Sequence, residues 1–301
     1  MKIKLLKFIS TNRLITLVTR QRYFRFGMRD RIARFIHNPD VAEPMLFDIK
    51  FYGQKYVGDF SVFLDWSTFY FGAYCIEELE FMAYSLKSIS CPVVIDVGAN
   101  IGHHSLFAST IASEVYAFEP FPDVANKITR KIQDNNLANL KVFYFGLGQV
   151  DELLPYNPPV DCNTGTGSFI GKNKSEKQLM LPIKNGDDFF QSNNINNISF
   201  IKIDVEGYEV DVLKGLAATI LNERPIIFFE WSNYSIQKNL DMKFLFPNDF
   251  LFFDFYGDEN KFCLFAIPKF HLSPFNCLIE GNKVAIPKEK AQHFFEYIDK
   301  K

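Results

Sequence analysis

The run Val93-Val94-Ile95-Asp96-Val97-Gly98-Ala99-Asn100-Ile101-Gly102 constrains this chain more than any other part of it. Its β-branched apolar residues predict a buried strand, the acid lies near the strand's end, and the small residues turn the backbone into a helix. A strand that feeds a helix through a glycine turn belongs in a parallel sheet, with a ligand held beyond the carboxyl end of the strand. The helix start offers unpaired N–H groups to a carboxylate or a phosphate.

From residue 93 onward the pattern alternates strand and helix. Strands are predicted at 93–97, 115–118, 141–145, 198–205 and 225–230, and helices near 103–112, 123–136 and 208–221. Segments 249–255 and 261–267, joined by Gly257-Asp258-Glu259-Asn260, predict a closing antiparallel hairpin, and 287–300 reads as a last helix. An extended piece at 178–183 follows a Gly- and Asn-rich loop, 157–173, whose stretch Asn163-Thr164-Gly165-Thr166-Gly167-Ser168 is the expected acceptor-side element. Upstream, 45–72 predicts short strands and turns over an aromatic cluster. The spacing of Ile76, Leu79, Ala83 and Leu86 predicts a helix that caps the sheet, with Glu77 and Glu78 suiting its positive end. The chain therefore divides into a basic segment and cap (1–90), a sheet domain (91–268) and a tail with a terminal helix (269–301).

Charge narrows the function. The net charge of −2 excludes wholesale nucleic-acid binding. Within it, residues 1–37 carry ten lysines and arginines against one acid, Asp30. Those residues read as amphipathic helical pieces, with Leu14, Leu17 and Val18 on one face. Packing against the body is the plain expectation. Peripheral contact with an anionic membrane is the sharper one, and an RNA-binding arm is the third. The five cysteines are scattered, with no Cys-x-x-Cys, which suits free thiols in a cytoplasmic protein. No signal peptide is read at the start, and no run approaches the ~18 apolar residues needed to span a bilayer.

Several strand ends carry acids. Glu119 closes Val115-Tyr116-Ala117-Phe118-Glu119-Pro120, where a carboxylate can accept both hydroxyls of a ribose. Leu147, in Phe145-Gly146-Leu147-Gly148, is placed to flank an adenine ring. Ile201-Lys202-Ile203-Asp204-Val205-Glu206-Gly207 puts Asp204 and Glu206 two residues apart at a strand tip, facing one side. Glu230 follows another apolar strand. One rim thus gathers Asp96, Glu119, Asp204, Glu206 and Glu230, a negative cup suited to a cationic ligand. A dinucleotide-binding loop wants glycine where Asn100 stands, which disfavours NAD and an oxidoreductase. Asn157-Pro158-Pro159-Val160 mimics a base-methylating motif, but it precedes the strand it would have to follow, and Val160 has no ring to stack on an extruded base.

These motifs together, V-I-D-V-G-A-N-I-G, A-F-E-P, I-K-I-D-V-E-G-Y-E-V-D-V-L-K-G and R-P-I-I-F-F-E, resemble the FkbM family of S-adenosylmethionine-dependent methyltransferases over roughly residues 90–235. The resemblance implies an α/β class I methyltransferase fold, Rossmann-like, with a seven-stranded, mostly parallel sheet in the order 3-2-1-4-5-7-6 and helices on both faces. It implies S-adenosylmethionine as cofactor and O-methylation of a hydroxyl, often on a sugar or a polyketide-type product, so the expected partner is a small-molecule or glycan acceptor. By position, Gly98, Asn100 and Gly102 would hold the methionine end, Asp96 would support that loop, Glu119 would take the ribose and Leu147 would lie near adenine. Asp204 and Glu206 would sit beside the transferable methyl.

A sugar hydroxyl is a poor nucleophile, so a general base would add about 10²–10⁴-fold. Glu206 is the first candidate, Asp204 the second, and His104 a third; its neighbour His103 also begins the helix after the glycine loop. A divalent ion on Asp204, Glu206 and Glu230 is the alternative way to acidify the hydroxyl, although no spacing fixes a metal site. A non-catalytic scaffold that has kept the fold is the remaining alternative.

Overall fold

The computed structural model describes residues 13–21, 24, 26–158, 169, 179–237, 242–257 and 270–299. Its strands, in chain order, are β1 (Leu46–Phe51), β2 (Gln54–Asp59), β3 (Val93–Val97), β4 (Glu114–Phe118), β5 (Leu140–Phe143), β6 (Gly146–Gly148), β7 (Glu152–Tyr156), β8 (Leu179–Asn185), β9 (Ile198–Ile203), β10 (Ile226–Trp231), β11 (Phe250–Gly257), β12 (Phe270–Pro274) and β13 (Gly281–Pro287). The main sheet runs β5-β4-β3-β9-β10-β13-β11-β12. The pairs β5–β4, β4–β3, β3–β9 and β9–β10 are parallel, and β13 and β12 enter antiparallel. The expected order is present, with an eighth strand, β12, added outside the expected seven.

Strands β3 and β9 are buried at every residue, as central strands covered on both faces must be. Their side chains alternate between two cores. Val94, Val115, Ala117, Phe200 and Phe228 point into one, with Phe81 of the helix Ile76–Leu86. Ile95, Val97, Ile201, Ile203 and Phe229 point into the other, with Val212, Leu213 and Ile220. Burying one large apolar side chain contributes about 1.5–3 kcal/mol, and both cores combine aromatic with aliphatic side chains.

Several expectations need correction. Residues 281–287 form a strand that the sequence reading missed, and the terminal helix is a short 3-10 turn, Lys288–Phe294. Strands β12 and β13, which fall within the expected tail, extend the main sheet. The helix expected at 208–221 is broken at Leu216 into Glu209–Gly215 and Ala217–Glu223. There the β6 turn presses on the helix, and a Cβ at Gly215 would lie 1.8 Å from the Gly148 carbonyl oxygen. Phe63–Phe71 is a helix where strands and turns were expected. Tertiary burial of Trp66, Phe69 and Tyr70 overrides the β preference of its aromatic residues. The 261–267 strand and most of the 157–173 loop, including residues 163–168, lie outside the described residues.

The N-terminal cations are partly structural. Arg20 donates to the Phe69 carbonyl at 2.8 Å, Arg29 to the Thr19 carbonyl at 3.2 Å, and Arg34 pairs with Asp30 and Asp40. Among the described residues, no helix is long and apolar enough to cross a membrane.

Candidate active site

A cavity of about 300 Å³ opens beyond the carboxyl ends of β3, β4, β9 and β10, where a wound parallel sheet leaves its crevice. Its floor is the glycine loop. Gly98 adopts φ +76°, and a Cβ there would stand 1.8 Å from the Asp204 carbonyl oxygen, so only glycine lets β3 and β9 end side by side. The amides of Gly98 and Ala99 donate to the Phe118 carbonyl at 3.0 and 3.1 Å, tying the loop to the end of β4.

Glu119 locks that loop. Its carboxylate accepts the N–H of Asn100 and the N–H of Phe121, each at 3.0 Å, and it is nearly buried. Burial pushes its pKa up to about 7, against the pull of those two amides. Each oxygen spends one acceptor site on the backbone and keeps capacity for a hydroxyl. Apolar Leu147 and Phe169 line the same wall. An open glycine cradle, a carboxylate with spare acceptors and an apolar slot fit the amino-acid, ribose and adenine parts of S-adenosylmethionine.

Two expected loop residues lie off the wall. Asp96 sits beneath the loop and accepts the Ser105 hydroxyl, which steadies the helix His103–Ala108. It is buried, so it leaves the expected rim of acids. Gly102 caps that helix at φ +78°, with Ile128 packed where a Cβ would go, and it does not line the cavity.

The cavity is also lined by Asp204, Glu206 and Glu230, together with residues the sequence reading did not assign. Lys202, almost fully buried, places its ammonium 2.8 Å from Asp204 Oδ2. Burial alone would raise the Asp204 pKa, but Lys202 outweighs it and holds the carboxyl below its usual range. Asp204 is ringed by protein, yet 45% of its side chain still meets the solvent of the cavity. Burial followed by repulsion from Asp204 pushes both Glu206 and Glu230 up to about 7. Glu206 rides on a left-handed backbone, φ +51°, before Gly207 at φ +103°.

The two histidines part company. His103 is buried, its Nδ1 3.3 Å from the Thr68 hydroxyl and its Nε2 within 3.2 Å of the Tyr74 backbone. Burial holds it well below the usual imidazole range, so it is neutral where it borders the cavity. His104 faces the cavity, with Nε2 3.0 Å from Glu78 Oε2, and Glu78 Oε1 accepts the Asn282 side-chain amide at 3.0 Å. The signal for Lys202 was present in the sequence, a lysine two residues before Asp204 on the same strand face. Asn282 had no such signal, because its strand was not read. Among the described residues, no three His, Cys, Asp or Glu side chains are grouped to hold a metal ion.

A family model for the methyltransferase FkbM domain matches residues 96–256. The chain belongs to the FkbM methyltransferase family. That membership makes the fold a class I methyltransferase fold with S-adenosylmethionine as its cofactor, and it displaces the dinucleotide oxidoreductase reading. Among relatives of this FkbM chain, a hexuronic acid methyltransferase of Haloferax volcanii is 32% identical over 41% of the chain and 49% of that protein. A Beauveria bassiana protein called methyltransferase 1 is 28% identical over 41% of the chain and 57% of its own length. The chain thus spans about half the length of the curated relatives it matches. The FkbM methyltransferase of Methylobacillus flagellatus superposes with a TM-score of 0.43 at 15% identity, over 67% of this chain and 47% of that one. An S-adenosylmethionine-dependent methyltransferase of Agrobacterium tumefaciens does so with a TM-score of 0.44 at 11% identity, over 83% and 72%.

Proposed function

We propose that this chain transfers the methyl group of S-adenosylmethionine to a hydroxyl of a sugar or glycan. The carrying observation is convergence: the Gly98 cradle, Glu119 and the Asp204–Glu206 strand tip line one cavity. Gly98, Ala99 and Asn100 hold the methionine end, Glu119 accepts from the ribose hydroxyls, and Leu147 packs near adenine. The cofactor, when bound, supplies a methyl already activated by its sulfonium charge. The acids around the cavity favour that cationic centre through their field.

A sugar acceptor is supported by the hexuronic acid methyltransferase among the relatives. The cavity chemistry selects which oxygen of a sugar reacts. Glu78, Glu119, Asp204, Glu206 and Glu230 repel a carboxylate nucleophile, whereas a neutral hydroxyl carries no such penalty. Asp204 and Glu206 lie on the acceptor side. Asp204 serves there as counter-ion to Lys202, which shields the methyl-transfer point from a bare buried cation.

Calorimetry with S-adenosylmethionine tests the cofactor half. Glu119→Ala is expected to weaken binding about 10–100-fold, since hydrogen bonds to charged groups contribute about 1.5–3 kcal/mol. Equal affinity in variant and wild type defeats the assignment. Incubation with methyl glycosides of neutral sugars and of hexuronic acids tests the acceptor half. A mass gain of one CH₂ that survives mild ester hydrolysis is expected. Binding of the cofactor with no turnover on any glycoside favours a scaffold.

A further inference from the structure

Three segments distant in sequence meet at one imidazole on the cavity wall. Glu78 comes from the helix Ile76–Leu86, His104 from the helix after the glycine loop, and Asn282 from β13. The Asn282 amide donates to Glu78 Oε1 at 3.0 Å, and Glu78 Oε2 stands 3.0 Å from His104 Nε2. All three line the cavity. A carboxylate on Nε2 fixes the proton on that nitrogen and leaves Nδ1 as the basic atom of the ring. A nucleophile-activating base held by a carboxylate that is itself held by another side chain is how oriented bases are built.

We propose that His104 is the general base of methyl transfer, with Glu78 and Asn282 as its positioning residues. This rests on the reading of the site as an O-methyltransferase. Of the other candidates, Asp204 is bound to Lys202 at 2.8 Å, and Glu206, on the left-handed turn at the strand tip, is the rival that the experiment below separates from His104. In the step, an oxygen lone pair forms the new C–O bond and the sulfur keeps the pair of the breaking C–S bond. The hydroxyl proton passes to His104 Nδ1. A sulfonium, an alcohol and a neutral imidazole become a thioether, an ether and an imidazolium, so charge is conserved. Glu78 then faces the new cation directly. Among the described residues, the titratable groups tied to His104 besides Glu78 are Asp204, just past the end of β9, and His103 beside it on its own helix, which burial keeps neutral.

The tests use the full chain. Nitrogen-15 shifts of His104 need no acceptor. The Nε2-protonated tautomer is expected in the wild type, with the preference lost in Glu78→Gln; an Nδ1-protonated ring overturns the proposal. On a methyl glycoside that the wild type methylates, His104→Gln is expected to lower kcat about 10²–10⁴-fold and to erase the acidic limb of the kcat profile. Glu78→Gln and Asn282→Ala are expected to lower kcat about 10–100-fold, keep the limb and leave KM for the acceptor unchanged. S-adenosylhomocysteine affinity, unchanged in all three, reports intact folding. A limb that survives in His104→Gln and vanishes in Glu206→Gln gives the base to Glu206 and overturns the proposal. Failure of the wild type on every glycoside counts against the function, while the tautomer result still decides the geometry.

Discussion

At Gly98 a single hydrogen separates a working loop from a collision. A left-handed backbone costs an L-residue about 1–2 kcal/mol, and an added Cβ would also overlap the Asp204 carbonyl oxygen at 1.8 Å. Gly98→Ala is therefore expected to lower the melting temperature and to abolish the thermal shift given by S-adenosylhomocysteine. A variant that keeps both would show that the two strand ends can part freely. Glu209 makes a second case. It is fully buried, accepts the Gly207 N–H at 2.8 Å, and burial pushes its pKa up to about 7 from 4.5. The folded chain holds a proton there that the unfolded chain gives up. The associated stability is complete below pH 4.5 and is lost as pH rises through about 7. Glu209→Gln removes this titration, so the difference in melting temperature between about pH 5 and about pH 7.5 is expected to shrink. An unchanged difference would place the pH sensitivity elsewhere. At this scale the sequence was readable wherever a residue's chemistry is local: the turn at Gly98 and the acid at Glu119 both announce themselves. It was unreadable where a partner arrives from far away. Glu78 looked like a helix-dipole acid until His104 and Asn282 closed on it.

Elements show the same division. Strands β3, β4, β9 and β10 were legible because central parallel strands are mostly apolar, with their few polar residues near the ends. Strand β13 was missed because Gly281-Asn282-Lys283 opens it with a glycine and two polar residues, and Lys283 is buried only because Asp254 meets it at 2.6 Å. The helix Ile76–Leu86 was found, but not its importance. Phe81 meets Phe200 and Phe228 of the parallel strands, Phe255 and Phe270 of the antiparallel ones, and Phe294 of the last turn, with ring centroids 5.3–6.0 Å apart. Phe81→Ala is expected to cost about 3–5 kcal/mol, as removal of a fully buried phenyl ring does. Chemical denaturation measures it, and a loss under about 1 kcal/mol would mean the cluster repacks around the gap.

For the whole molecule, those contacts cross the divisions suggested by sequence, and the described residues are expected to melt as one unit. A fragment of residues 91–268 lacks Phe81, β12 and β13, and leaves the β10 and β11 edges unpaired. It is expected to aggregate or to show no cooperative melting transition, whereas the full chain melts as one; a soluble, cofactor-binding fragment would contradict this. By itself the sequence determined the central parallel strands and the glycine turn, because periodicity and glycine chemistry act between neighbours along the chain, while the family and the strand order came from its resemblance to the FkbM methyltransferases. Only the tertiary structure decided that Asp204 belongs to Lys202, that Asp96 lies under the floor rather than on the rim, and that a histidine, a glutamate and an asparagine share one wall. Those pairings depend on which faces the strands and helices turn toward each other, and packing of the aromatic core sets those faces.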